Sequence, residues 1–438
     1  MNWQTSEIPL LGKGGVPRSG GVVRSRNRLL DQHHPGASRH PSCSRRGAEF
    51  FTIQFIHTFY DPNFRECGPD MNIARAIIAG GGTGGHLFPG ITVAREIQRR
   101  NGSAEILFVG AERGIEARVV PQEGFPLKTL PLGGVKGKGW GTRAKNMWAA
   151  IEGIFSAKKI LRDFKPQVVI GVGGYASFPA VSAAILLGYP RMIMEQNALP
   201  GLANRLLSRW VRFAAVTDPR TTHYFGDRGV VTGNPIRPQF KTIAEKQHVP
   251  PFTVLVFGGS QGAQSINNAV VASLPHLADW KGKLRFVHQT GAAQLDEIKQ
   301  AYASAGFDAD VRSFFDEFHR QYAVADLIVS RAGQTTLAEL RAAGRTAILI
   351  PLPTAADDHQ TFNARAMVEE NAAIMIANKD LSGERLAQTI RSLLSDPNRL
   401  TEMERNARRL AILDAEVRIV DLAERAAEEA SQKGGVRV

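Results

Sequence analysis

From residue 74 onward, short apolar runs alternate with longer stretches in which apolar positions recur every three or four residues, as at Ile91, Ala94 and Ile97. The runs at 74–79, 105–109, 168–171, 191–195 and 213–216 are largely apolar at consecutive positions, as expected of strands covered on both faces. After Asn234-Pro235 the pattern restarts, with runs at 253–257, 284–288, 327–330 and 347–351 separated by further helical periods. Strand–helix alternation predicts an α/β protein built from two Rossmann-like domains, each a parallel sheet with helices on both faces. Open parallel sheets bind ligands at the C-terminal ends of their strands, so two such domains facing each other predict a ligand cleft between them.

Each half opens with strand, glycine loop and helix. The first loop reads GGGTGGH over residues 80–86, and the second is GGSQGAQSINNAV. Such loops bring bare N–H groups to a phosphate, and the following helix N-terminus adds positive potential; Pro89 suits a helix start. Gly80, Gly82 and Gly85 formally satisfy G-x-G-x-x-G. The second run, however, ends in Gly110-Ala111, with Glu112 only nearby in place of a ribose-binding acid, and that motif does not call for a His. His86 ends the loop where the N–H groups converge. It is either a general base or a helix-entry His bonded to backbone.

Two more polar strand ends lie in the first half. GVGGYASFPA presents Gly173, Gly174, Tyr175 and Ser177, and MEQNALPGLANR presents Glu195, Gln196 and Asn197. Three such ends in one half point to one ligand surface rather than to three unrelated turns. In the second half, TGNPIR places Arg237 just past the linker, either as a surface Arg or within reach of a diphosphate. SRAGQTTLAEL runs a glycine turn into a helix, where Thr335 and Thr336 can donate to phosphate and Glu339 is either an ordinary capping acid or an acceptor for both hydroxyls of a ribose. In PLPTAADDHQTFNA, Gln360 suits a sugar hydroxyl, whereas Asp357, Asp358 and His359 are adjacent residues, which rarely point at one ion.

The 438 residues carry a net charge of +13, a surplus that fits either an anionic partner such as nucleic acid, acidic lipid or a phosphorylated substrate, or simply a soluble basic protein. In KNMWAAIEGIFSAKKILRDFKP, Trp148, Ile151 and Phe155 form one stripe among Lys145, Lys158, Lys159 and Arg162. The stripe is either core or a face that docks on anionic lipid. No run approaches the ~18 apolar residues of a membrane-spanning helix, and the N-terminus lacks a basic-then-apolar leader pattern. The first 70 residues have no apolar period and hold the only cysteines, Cys43 and Cys67. They read as disordered, or as sequence upstream of a start at Met71. Residues 71–438 are cysteine-free, which excludes disulfides and thiolate chemistry there and fits the cytoplasm.

GGTGGHLFPG, GVGGYASFPA, EQNALPGLANR, TGNPIR, FGGSQGAQSIN, SRAGQTTLAEL and DDHQTFNA, in this order, closely resemble the MurG family of glycosyltransferases, over about residues 71–430. The resemblance implies a GT-B fold and inverting, metal-independent and cofactor-free transfer of N-acetylglucosamine from UDP-N-acetylglucosamine. The acceptor would be the C4 hydroxyl of undecaprenyl-diphospho-N-acetylmuramoyl-pentapeptide, converting lipid I to lipid II. It further implies peripheral binding at the cytoplasmic face of a bacterial inner membrane and no nucleic-acid partner. The expected division is an extension at 1–70, an acceptor and membrane-associating domain at 71–233, a donor domain at 234–411, and a C-terminal helix at 412–438 packing back on the first domain. By motif, Thr83, Gly84, Gly85, Asn197, Arg237, Ser260, Phe315, Gln360 and the segment Gln334, Thr335, Thr336, Leu337, Ala338, Glu339 match donor-binding positions. Gly173, Gly174 and Tyr175 are expected on the acceptor. His86 is expected as base, with Glu195 next in line, and Trp148, Ile151, Phe155, Lys158 and Lys159 on the membrane. Phe315 stands where the family often has an aliphatic residue whose backbone meets uracil, and Glu152 and Lys158 replace apolar residues of some relatives. The rival readings are a UDP-N-acetylglucosamine 2-epimerase, a dehydrogenase and a nucleotide-sugar sensor without turnover.

Overall fold

The protein is described from a computed structural model, which covers residues 72–112, 114–132, 140–259 and 261–432. The expectations for residues 1–70, Met71 and Ser260 lie outside the described residues, as does that for the Lys145 side chain.

Seven strands form the first sheet: β1 (Arg75–Gly80), β2 (Glu105–Ala111), β3 (Leu127–Leu130), β4 (Val168–Gly173), β5 (Arg191–Glu195), β6 (Phe213–Val216) and β7 (Gly229–Val231). Six form the second: β8 (Phe252–Phe257), β9 (Leu284–Gln289), β10 (Asp308–Arg312), β11 (Leu327–Ser330), β12 (Ala347–Leu349) and β13 (Ala373–Met375). Their orders are β3-β2-β1-β4-β5-β6-β7 and β10-β9-β8-β11-β12-β13, and every pairing is parallel. The central strands β1, β4, β8 and β11 are buried along almost their whole length, hence their unbroken apolar runs.

The helices of the first half are α1 (Gly84–Arg100), α2 (Glu116–Gln122), α3 (Trp140–Phe164), α4 (Ser177–Leu187) and α5 (Leu202–Leu207). Those of the second are α6 (Pro238–Lys241), α7 (Gln264–Ser273), α8 (Leu295–Ala305), α9 (Phe318–Val324), α10 (Gln334–Ala343), α11 (His359–Val368), α12 (Gly383–Leu394) and α13 (Pro397–Arg409). The last helix, α14 (Ala415–Gln432), returns to the first sheet. It packs on α1 and beneath β4, β5 and β6, and it puts Ile419, Val420, Leu422, Ala423 and Ala426 into the first core. Arg100 of α1 binds it there through Asp421 (2.7 Å) and Glu424 (2.6 Å).

Chain order reverses at β1/β4 in the first sheet and at β8/β11 in the second. These switch points leave a crevice at the C-terminal strand ends, where Gly81, Gly82 and Thr83 of the first glycine loop and Gly258, Gly259 and Gly262 of the second lie. Among the described residues, no helix is long and apolar enough to cross a membrane.

Candidate active site

The helices that follow the two switch points meet head to head. α1 begins after Thr83, and among the described residues the N–H groups of Thr83, Gly84 and Gly85 have no acceptor, as expected of a first turn. α10 begins after Gly333, and its first turn leaves the amides of Gln334, Thr335 and Thr336 in the same condition. The two ends touch, with Thr335 Oγ1 donating to the Gly85 carbonyl at 3.3 Å. Two macrodipoles from opposite halves thus direct their positive ends into one place.

His86 is the next residue after Gly85. Gln196 Nε2 donates to the Val172 carbonyl (3.0 Å), which turns Gln196 Oε1 toward His86 Nδ1 at 3.1 Å. Nδ1 therefore carries the proton and Nε2 the lone pair. Burial pushes the imidazole below its ordinary value; the Glu195 carboxylate, the Gln196 bond and the Val172 carbonyl pull the other way, and His359 adds to the lowering. The ring lies so close to Gly173 that a Cβ there would stand 2.7 Å from Nδ1, so this position must be glycine. Tyr175, two residues on, is 79% exposed.

Glu195, expected next in line as base, is tied into the turn that follows it. It is 2% exposed, and its carboxylate accepts from the Asn197 amide (2.9 Å), the Gly201 amide (3.0 Å) and Asn204 Nδ2 (2.9 Å). Asn197 Nδ2 adds a fourth donor at 3.4 Å, and all four come from the loop 196–204, which the carboxylate anchors. Asn197 faces the second half, where Asn363 Nδ2 approaches its Oδ1 at 3.4 Å and Asn363 Oδ1 accepts from the Ala198 amide at 3.0 Å. Asn363 was not singled out by spacing, because one Asn inside a helix carries no signal until a partner from another domain appears.

In the second half Arg237 and Glu339 pair at 2.8 Å. Burial pushes the Glu339 carboxyl up, against the pull of Arg237. The Arg237 guanidinium also lies over Phe240 (4.7 Å) and Phe88 of α1 (5.7 Å), so it spans both halves. Gln360 Oε1 accepts from the amides of Ala332 and Leu352, tying together the loops after β11 and β12 and leaving its NH₂ as the group for a ligand. The Leu337 side chain is wholly buried in the second core and Ala338 packs against it, so only their backbone can meet a ligand. The Phe315 ring is also core; its N–H donates to Gln289 Oε1 (3.0 Å), while Gln289 Nε2 holds the Gly259 carbonyl. In this state the Phe315 carbonyl is the group left for a base edge. Asp357 lies 3.5 Å from Arg205 and Asp358 accepts from Thr361 Oγ1; among the described residues, no three His, Cys, Asp or Glu side chains cluster to hold a metal.

The stripe on α3 points outward. Gly153, Ala157 and Leu161 are buried, Gly153 against Leu132 and Pro179 of α4, while Trp148 and Phe155 are 71% and 66% exposed, Ile151 is exposed, and Lys158 and Lys159 lie beside them. The Lys158 ammonium lies over the Phe155 ring at 5.7 Å.

Residues 76–216 match the glycosyltransferase family 28 N-terminal domain, and residues 253–422 match the glycosyltransferase family 28 C-terminal domain. A UDP-N-acetylglucosamine--N-acetylmuramyl-(pentapeptide) pyrophosphoryl-undecaprenol N-acetylglucosamine transferase of Myxococcus xanthus is 48% identical over 351 residues, 80% of this chain and 92% of that protein. The chain belongs to the MurG family. A Geobacter sulfurreducens protein of the same name is 46% identical over 79% of this chain and 97% of its own length. The crystal structure of Acinetobacter baumannii MurG superposes with a TM-score of 0.67 at 31% identity, covering 80% of this chain and 99% of that one. A putative UDP-N-acetylglucosamine 2-epimerase of Listeria monocytogenes shares the fold at a TM-score of 0.56 but only 10% identity, covering 84% of this chain and 98% of that one. As a member of the MurG family, the protein is a hexosyltransferase of GT-B architecture.

Proposed function

We propose that the enzyme transfers N-acetylglucosamine from UDP-N-acetylglucosamine to the C4 hydroxyl of undecaprenyl-diphospho-N-acetylmuramoyl-pentapeptide, with inversion and without a metal ion. The carrying observation is the meeting of two helix N-termini from opposite halves, bridged by Thr335 and Gly85, with the neutral His86 beside them. His86 Nε2 takes the proton of the acceptor hydroxyl as its oxygen attacks the sugar C1. The bond from C1 to the phosphate oxygen breaks on the opposite face, and UDP leaves. The charge that develops on UDP is met by the first-turn amides of α10, by Thr335 and Thr336, and by Arg237. Gln196 positions the base by holding the proton on Nδ1. Residues 71–233 take the acceptor, with Gly173, Gly174 and Tyr175 at its diphosphate and sugar; residues 234–411 take the donor, with Glu339 on the ribose and Gln360 on the transferred sugar. The α3 stripe, ringed by lysines, docks the enzyme on the anionic cytoplasmic face of the membrane.

The test is to supply UDP-N-acetylglucosamine and a short-chain lipid-linked muramoyl-pentapeptide, in buffer with and without a chelator. A β-linked disaccharide formed equally in both is expected. Absence of disaccharide, or formation only with divalent metal, overturns the corresponding part of the proposal.

A further inference from the structure

The first glycine loop is held by a side chain from outside the motifs. Glu116 opens α2 and is 1% exposed. Its Oε2 accepts from the Gly82 amide at 2.7 Å and its Oε1 from the Ala111 amide at 2.9 Å, so one carboxylate ties the loop after β1 to the end of β2. The cradle around it is made of missing side chains. A Cβ on Gly81 or Gly110 would stand 2.5 Å from the nearest Glu116 atom, and one on Gly114 would stand 2.1 Å from its carboxyl group. Gly81 and Gly82 have φ of +139° and +81°, conformations that L residues rarely adopt and that the carboxylate pins from one side. From the other side the Gly81 amide donates to the Gly173 carbonyl at 3.2 Å.

We infer that Glu116 is a positioning residue for transfer: its carboxylate holds the loop 81–85, and through it His86, in register with the second half. The inference rests on the proposed reaction. The loop amide of Gly82 is occupied by Glu116 and the next three amides are not, so the carboxylate sets where the anion-facing part of the loop begins. Among the described residues Glu116 has no cationic partner, so its negative charge is balanced by backbone amides alone. In Glu116→Gln one oxygen becomes an NH₂ that must face either the Gly82 or the Ala111 N–H. Donor then opposes donor and the loop shifts. Displacement of a reacting group by about 1 Å costs on the order of 10²-fold in rate.

The experiment is a double-mutant cycle with Glu116→Gln and His86→Ala, using disaccharide formation as the rate. UDP titration counts the folded sites, because the uridine-binding residues are in the other half. Wild-type enzyme that makes no disaccharide refutes the proposed reaction and not this inference. With wild type active, Glu116→Gln should lower kcat per UDP-binding site by about 10- to 100-fold, with UDP affinity unchanged. In the His86→Ala background the same change should cost less than about threefold, since the group it positions is gone. A per-site kcat within about twofold of wild type overturns the inference, as does an equal factor in both backgrounds.

Discussion

Replacing Gln196 by Met tests whether the amide does more than fill space. The side chain is nearly isosteric and buried, but it offers no strong acceptor to His86 Nδ1–H and no donor to the Val172 carbonyl. The lost hydrogen bond is neutral and worth about 1 kcal/mol, or about fivefold in the population of the reactive tautomer and orientation. Removing His86 altogether should cost about 10²–10⁴-fold. The more discriminating readout is kcat/KM against pH. Neutral His86 is the reactive form, so kcat/KM falls as pH drops through the pKa of the free enzyme. The bond to Gln196 raises that pKa, as does Glu195 on β5, while burial and His359 on α11 lower it. Gln196→Met should therefore move the acidic limb to lower pH. Gln196→Glu, which puts an anion against Nδ1–H, should move it to higher pH. Initial rates with a water-soluble acceptor, from about pH 5 to about pH 9, span the range in which a histidine titrates. Limbs that stay in place, or that move the same way in both variants, would refute the assignment of Nε2 as the base.

Four further outcomes are expected. His86→Gln should lose about 10²–10⁴-fold in kcat while UDP affinity, set by the second half, is retained; turnover near the wild-type rate would show that His86 is not the base. Glu339→Gln should weaken UDP binding by about 10-fold or more in calorimetry, as one buried acceptor for the ribose becomes a donor, and should affect 2′-deoxy-UDP much less. Trp148→Ser with Phe155→Ser should reduce flotation with anionic vesicles, most clearly at high salt, and leave turnover of a water-soluble acceptor unchanged; equal flotation would move the docking face elsewhere. Finally, burial pulls the His248 imidazole down, but Asp326 (2.9 Å) and Glu404 (3.2 Å) outweigh it and raise it to about 9. The stabilisation from this triad is complete below pH 6.5 and is lost as pH rises through about 9. It amounts to about 3 kcal/mol, so Tm should fall across that window, and His248→Gln should flatten the fall.

The interior of the fold was legible and its margins were not. Nine of the strands appear as apolar runs, and the four that do not are β3, β7, β10 and β13. These are the outermost strands of the two sheets. LKTL and DADVR are half exposed, and GVV and AIM are three residues long. An edge strand covered on fewer sides needs no unbroken apolar run, so neither template finds it. The glycine loops could be located from the sequence, but their reason was only partly visible. Gly81, Gly110 and Gly114 make room for Glu116, and Gly173 makes room for His86; the Gly81–Glu116 and Gly173–His86 contacts connect residues far apart in sequence. Glu195 looked like a cleft carboxylate because it ends a strand beside Gln196 and Asn197, yet the donors that bind it come from the turn it stabilises. The α3 stripe is ambiguous by periodicity, since an apolar face turned to solvent and one turned to a core have the same spacing. Only Gly153, Ala157 and Leu161, packed on the opposite side, decide which it is.

The return of α14 to the first half has a consequence for how the chain is made. Ribosomes deliver the first sheet long before the helix that covers it, and domains completed in order of synthesis normally close as they emerge. Here Ile419, Val420, Leu422, Ala423 and Ala426 belong to the same core as Ile78, Ile106 and Ile170. The half translated first must therefore wait, with an open apolar face, while the whole second half is synthesised and folds. The first domain to begin folding is the last to be finished.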